Sequence, residues 1–161
     1  MSEQKTSQPE KVIRVFIVDD HPWVRTGLAS LIGFNKQLVF CGETEDAESA
    51  LQAIPEAKPD VVLVDISLKG PVDGVALTKQ IRLRFPSLIV LVLSMHIEAD
   101  WAERALTAGA HGYMIKSDAA DQLLDALPRL VNGEIFVSEE IRHKLDPALL
   151  QSLTDRAHRA H

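Results

Sequence analysis

The sequence predicts an α/β fold: a doubly wound sheet of five parallel strands, helices on both faces, and a helical extension at the C-terminus. Three observations carry that reading. Unbroken aliphatic runs at 61–64 and 88–93, and a longer apolar stretch at 12–18 interrupted only by Arg14, have the character of strands covered on both faces. Apolar residues at helical spacing follow them. The β-α alternation repeats five times across short loops, and right-handed crossovers then place helices on both sides of a parallel sheet.

Taken in order, residues 1–10 are polar and predict a disordered leader. The first strand runs to Val18 and gives way to Asp19-Asp20-His21-Pro22, with proline suited to a helix's first turn. Val24, Leu28, Leu31 and Ile32 form the stripe of a helix over 21–32, which Gly33 should stop. A shorter strand at 39–43 follows. Thr44 resembles an N-cap, and Ala47, Ala50, Leu51 and Ile54 predict a helix ending before Pro55. After the strand that ends on Asp65 come a loop at 67–74 and a helix over 75–85 carrying Val75, Leu77, Ile81 and Phe85. The next strand leads to a helix around 98–108, thin in apolar residues (Trp101, Ala102, Ala105, Leu106) and closed by Gly109.

A fifth strand at 112–115 precedes Ser117-Asp118, read as a cap, and a helix with Leu123, Leu124, Leu127 and Leu130. Pro128 should kink that helix or end it near Ala126, since proline removes a hydrogen bond and crowds the preceding turn. Beyond 132 the pattern changes. A turn at 132–134 and a brief apolar patch at 135–137 lead to a capping-box start at Ser138. Pro147 opens another helical stretch, and the polar end from Arg156 should fray.

Composition narrows the classes. The chain has 161 residues, 46% of them hydrophobic, enough to fill one proper core. A net charge of −6 argues against nucleic acid binding by this surface, because phosphate contacts need a basic patch. The single cysteine, Cys41, lies in an apolar stretch and reads as a small buried hydrophobe in a reducing compartment. With no signal-peptide core and no membrane-length apolar run, the expectation is a soluble, cytoplasmic protein without a membrane partner.

The chemistry sits at the strand ends. The first strand ends on Asp19-Asp20, the third on Asp65, the fourth on Ser94 and the fifth on Lys116. In open α/β sheets, ligands gather beyond the carboxyl ends of the strands. Each residue alone is ordinary: an acid after a strand is usually a turn residue, and an acid pair before a helix is capping charge. Together they describe a metal-assisted phosphorylation site. Mg²⁺ takes a near-octahedral shell of oxygens. Asp20 and Asp65 would bind it directly, Asp19 through water, and a loop carbonyl near Ser67 would add an oxygen. Asp65 is then the nucleophile, with the metal, Lys116 and the Ser94 hydroxyl holding the phosphoryl oxygens.

That set, in that order, resembles the receiver domain of bacterial two-component response regulators over residues 11–132. Val18-Asp19-Asp20-His21-Pro22, with Arg25 and Gly27-Leu28, is most like the subfamily with a LuxR-type (NarL/FixJ-like) C-terminal helix-turn-helix. The run Ala108-Gly109-Ala110-His111-Gly112-Tyr113 is similar to the family's usual approach to its lysine. The resemblance implies a flavodoxin-like strand order, 2-1-3-4-5. It also implies Asp65 as phosphoacceptor, Asp19 and Asp20 as the metal pocket, Ser94 as switch hydroxyl and Tyr113 as an aromatic that moves inward on phosphorylation.

The implied partners are a sensor histidine kinase and a second copy of the chain in a homodimer. The implied chemistry is self-catalysed phosphotransfer and autodephosphorylation rather than turnover as an enzyme. The implied output is transcription regulation. Leu153-Thr154-Asp155-Arg156 resembles the opening of a LuxR-type DNA-binding domain, so 133–161 is expected to lead to a DNA-binding module outside this chain, the alternative being a single-domain regulator whose output is partner binding.

Two other classes compete. A haloacid-dehalogenase-like aspartyl-phosphate phosphatase also places an Asp after a strand, but wants a second acid two positions on, where Ser67 stands. Flavodoxin-type nucleotide binding lacks a phosphate-cradling loop after Val18, where acids repel phosphate. Among remaining residues, His96 reads as a solvated loop histidine with a candidate role in gating hydrolytic water. Trp23 sits beside the acids as a candidate reporter of Mg²⁺. The spacing of His158 and His161 is attributed to chance.

Overall fold

The structure is a computed structural model that describes residues 11–159; the expected leader and His161 lie outside them. The chain alternates β1 (Ile13–Val18), α1 (Pro22–Gly33), β2 (Leu38–Thr44), α2 (Ala47–Ala57), β3 (Val61–Asp65) and α3 (Gly74–Arg84). It continues with β4 (Ile89–Ser94), α4 (Ala99–Thr107), β5 (Gly112–Ile115), α5 (Ala119–Val131), β6 (Phe136–Val137), α6 (Glu139–Arg142) and α7 (Pro147–Arg159). All strand pairs are parallel, in the order β2-β1-β3-β4-β5-β6. The expected doubly wound order holds, and a sixth strand extends it.

Alternate residues of each strand point to opposite faces, which builds two cores. Phe16, Val18, Val62, Val64, Val90, Val92, Tyr113 and Ile115 face α2, α3, α4 and the C-terminal helices. Val15, Ile17, Val61, Leu63, Leu91, Leu93 and Met114 face α1 and α5. Every residue of β3 is buried, as an unbroken aliphatic run on a central strand requires.

The departures from the sequence reading have local causes. Gly33 is the last residue of α1 rather than its stop. The N-cap of α2 is Asp46, whose carboxylate accepts from the Ser49 N–H at 2.8 Å, while Thr44 closes β2. Neither internal proline ends its helix: α2 continues past Pro55, and α5 runs through Pro128. Leu127 and Leu130 are both buried and hold the last turn of α5 on the sheet. Burial of each is worth about 1.5–3 kcal/mol, which matches the roughly 3 kcal/mol cost of an interior proline.

Asp118 does not cap α5 through its side chain; a 3-10 turn over Lys116–Asp118 leads in instead. The apolar patch before Ser138 pairs with β5 as β6. Ser138 makes no capping bond, because its hydroxyl accepts from the Ile115 N–H at 2.9 Å. Cys41 is half-buried where the β1–β2 register slips, and burial raises its thiol pKa. The end beyond Arg156 is helical to Arg159 rather than frayed.

Candidate functional site

The register of the sheet assembles the site. Val18 lies opposite Val64, so Asp19 and Asp65 leave neighbouring strands side by side. Ser94 lies opposite Ile115, which brings Lys116 to the same rim one residue later. The four strand tips therefore share one edge, at the carboxyl ends of the strands.

There the Lys116 ammonium lies 2.9 Å from Asp19 Oδ2 and 3.2 Å from Asp65 Oδ2. Asp19 is 1% and Asp65 2% exposed. The Asp65 carboxylate also accepts from the Ser67 N–H at 3.1 Å, and Asp20 accepts weakly from the Lys69 N–H at 3.3 Å. Asp19 accepts from the His21 N–H at 2.8 Å, and its main-chain carbonyl accepts from the Arg25 guanidinium. Burial pushes the Asp65 carboxyl above its ordinary pKa, and the neighbouring Asp19 charge adds to this. The Ser67 N–H and the Lys116 ammonium pull the other way.

Sequence reasoning missed His21. Its Nδ1 lies 3.0 Å from both Asp19 Oδ1 and Asp20 Oδ1, and 3.7 Å from Asp65 Oδ2. The signal is its position directly after the acid pair, which in the sequence marks only a helix start. Asp19, Asp20, His21 and Asp65 each bring a ligand atom within 4.8 Å of the others. Among the described residues, the buried oxygens Asp19 Oδ2, Asp20 Oδ1 and Asp65 Oδ2 have no partner beyond the Lys116 ammonium and the His21 ring. Three carboxylates sharing so little positive charge repel one another, and a hard divalent cation taking oxygen ligands fits that set.

Ser94 ends β4 at the same edge. It is fully buried, and its hydroxyl accepts from the His96 N–H at 2.9 Å. The Tyr113 ring is buried too, and its hydroxyl donates to the His96 carbonyl at 2.9 Å. Burial raises that hydroxyl's pKa, opposed by a hydrogen bond with Ser94. His96 is less solvated than expected: its ring stacks on Trp101 at 4.5 Å and lies 3.3 Å from the Ser67 hydroxyl. The solvent-exposed Trp23 sits 6.0 Å from the His21 ring.

A doubly wound parallel sheet with an acid cluster and a lysine at its carboxyl edge is the architecture of a signalling receiver. The chain matches the family described as response regulator receiver domain over residues 15–128, and it belongs to that family. It is 32% identical to the transcriptional regulatory protein DegU of Brevibacillus brevis over 84% of this chain and 57% of that protein. Against the response regulator VraR of Staphylococcus saprophyticus, identity is 31% over 89% of this chain and 71% of the relative. The chain thus spans little more than half of the first of these relatives.

Among solved structures, the isolated receiver domain of RcsB from Salmonella enterica, with the phosphomimetic BeF₃⁻, superposes at a TM-score of 0.78 and 30% identity. That match covers 84% of this chain and all of the other. A LuxR-family response regulator from Aurantimonas gives 0.74 and 30%, over 94% of this chain and 100% of that one. Receiver domains bind Mg²⁺ at an acidic pocket and are signal transducers rather than turnover enzymes. The dehalogenase-like alternative is not favoured by this membership. No helix among the described residues is long and apolar enough to cross a membrane.

Proposed function

We propose that Asp65 is the phosphoacceptor of this receiver. The observation that carries the reading is Lys116, whose ammonium bridges Asp19 and Asp65 in a buried acidic pocket. Asp19, Asp20 and Asp65, with Ser67 beside them, are the residues that would hold Mg²⁺. Bound there, Mg²⁺ offsets carboxylate repulsion and the charge on the transferring group.

A carboxylate oxygen of Asp65 attacks the phosphorus of a phosphohistidine on a sensor kinase. A P–O bond forms, the P–N bond breaks, and the leaving imidazole takes up a proton. Lys116 stabilises the phosphoryl charge. The Ser94 hydroxyl turns toward a phosphoryl oxygen, and Tyr113 settles in the space behind it as the switch aromatic. Autodephosphorylation by water reverses the state.

The output under this reading is transcription, through a DNA-binding module that follows 133–161, with homodimerisation as the regulated step. The relatives' names support it: DegU is a transcriptional regulatory protein, and a solved RcsB structure is of two dimers bound to DNA. Such a regulator works in the cytoplasm, where kinase and DNA meet. Incubation with acetyl phosphate and Mg²⁺, followed by intact mass, should add one phosphoryl group to the wild type and none to Asp65→Asn. Equal labelling of both would overturn the assignment.

A further inference from the structure

The segment after α5 does not leave the domain; it folds back along α4 and ties down both ends of it. At the N-terminal end, Lys144 Nζ donates to the Ile97 carbonyl at 3.0 Å, one residue after the carbonyl that accepts from Tyr113. At the C-terminal end, Arg156 donates to the Ala110 carbonyl at 2.9 Å and to the Leu106 carbonyl at 3.4 Å. These carbonyls lie in and just after the last turn of α4, where a cation is also favoured by the helix dipole.

The same segment grips β5. The Ser138 N–H donates to the Tyr113 carbonyl at 3.0 Å, and the Ser138 hydroxyl accepts from Ile115 at 2.9 Å. Ile141, Leu145 and Leu153 are buried in the core that holds Tyr113. By itself α4 is weakly anchored, since its buried residues are Ala102, Ala105 and Leu106. Two alanines contribute little apolar area to hold a helix on a sheet.

We infer that residues 138–156 act as an intramolecular clamp on α4 that favours the arrangement with Tyr113 buried, so that docking of α7 and occupancy of Asp65 strengthen one another. The inference rests on Asp65 as phosphoacceptor, with Tyr113 moving inward on phosphorylation. Tyr113 is already inside here, and the segment 138–156 bonds to its carbonyl and to both ends of the helix beside it. Coupling of this kind is reciprocal: whatever tightens α7 must tighten the acceptor site by the same factor.

The test uses the full chain, with beryllium fluoride and Mg²⁺ as the phosphoryl probe. Hydrogen exchange in α7 should slow about fivefold at saturation, a typical coupling factor. Arg156→Ala should weaken beryllium fluoride binding by a similar factor, read by fluorine resonance. Lys144→Ala, at an exposed residue whose loss leaves the fold intact, should act in the same direction. Uptake of the probe with unchanged or faster exchange in α7, or unchanged affinity in both variants, overturns the clamp and leaves the acceptor assignment standing. A wild type that takes up no probe overturns both.

Discussion

Lys116 Nζ stands 3.2 Å from Asp65 Oδ2, in a pocket where both side chains are almost out of reach of water. The ammonium comes from the end of β5 and the carboxylate from the end of β3, with β4 between them in the sheet. The contact is therefore made by the sheet's register, and it meets a second carboxylate, Asp19, at 2.9 Å. Lys116→Met should leave two buried acids without their cation. Removing one member of a buried ionic network typically costs about 3–5 kcal/mol. A lower urea midpoint and loss of acetyl phosphate labelling are expected; a midpoint equal to wild type would contradict the pairing.

Asp65 has the opposite effect on stability. Its carboxyl is raised above the ordinary 3.8 by burial and by Asp19. Below the unfolded-state value the group is protonated in both states and costs nothing. As pH rises through that value to the folded-state one, the unfolded chain ionises first, so the penalty accrues and is complete above the folded pKa. Asp65→Asn should therefore be more stable than wild type at pH 7 and equal to it near pH 3. Every tenfold gain in the carboxylate's proton affinity on folding corresponds to about 1.4 kcal/mol of that difference. Urea unfolding at the two pH values measures this directly, and Mg²⁺ should narrow the gap at pH 7.

Trp23 gives an optical handle on the pocket. Its ring meets the His21 ring edge at 6.0 Å, and His21 in turn lies 3.0 Å from Asp19 and Asp20. A cation held by those acids must change what His21 touches. Titration with Mg²⁺ should shift Trp23 emission in the wild type and far less in Asp20→Asn. Identical curves for the two proteins would separate the tryptophan from the acids.

Gly74 supports the site from behind. A methyl group there would come within 2.2 Å of the Asp65 carbonyl oxygen and 2.6 Å of Ile66 Cα, both backbone atoms that cannot step aside. Gly74→Ala should move the β3–α3 junction, at a cost of about 1–3 kcal/mol. The readouts are a lowered thermal midpoint and slower labelling of Asp65. Wild-type values for both would mean that the loop relaxes freely.

Gly74 also marks where sequence reading stops. Val61–Asp65 was legible because a central strand needs an aliphatic residue at every position, and a polar side chain at its tip then has few explanations. The acids, Ser94 and Lys116 followed from counting strands. A glycine forced by backbone approach leaves no local trace. That α5 does not end at Pro128 was hidden for a related reason: the proline's cost is local, whereas the burial of Leu127 and Leu130 that offsets it is tertiary. β6 is two residues long and exists through its pairing with β5. His21 was hidden by Pro22, which accounts for the helix start by itself and leaves the imidazole between it and the acids without a local signature.

His96 joins the switch to the rim, and its side chain and main chain can be separated by mutation. The main chain accepts from Tyr113 and donates to Ser94, and both bonds survive substitution. The ring stacks on Trp101, itself 5.0 Å from the Arg104 guanidinium carbon, and reaches toward the Ser67 hydroxyl. That hydroxyl belongs to the same residue whose N–H donates to Asp65, so one residue, Ser67, links the ring to the acceptor. His96→Ala should open a path for water while leaving the switch bonds in place. Dephosphorylation should then accelerate severalfold, equivalent to about 1 kcal/mol off the barrier, with little change in the labelling rate. Following loss of phosphoryl mass after removal of acetyl phosphate decides it: the same half-life in both proteins would leave the ring with a packing role alone.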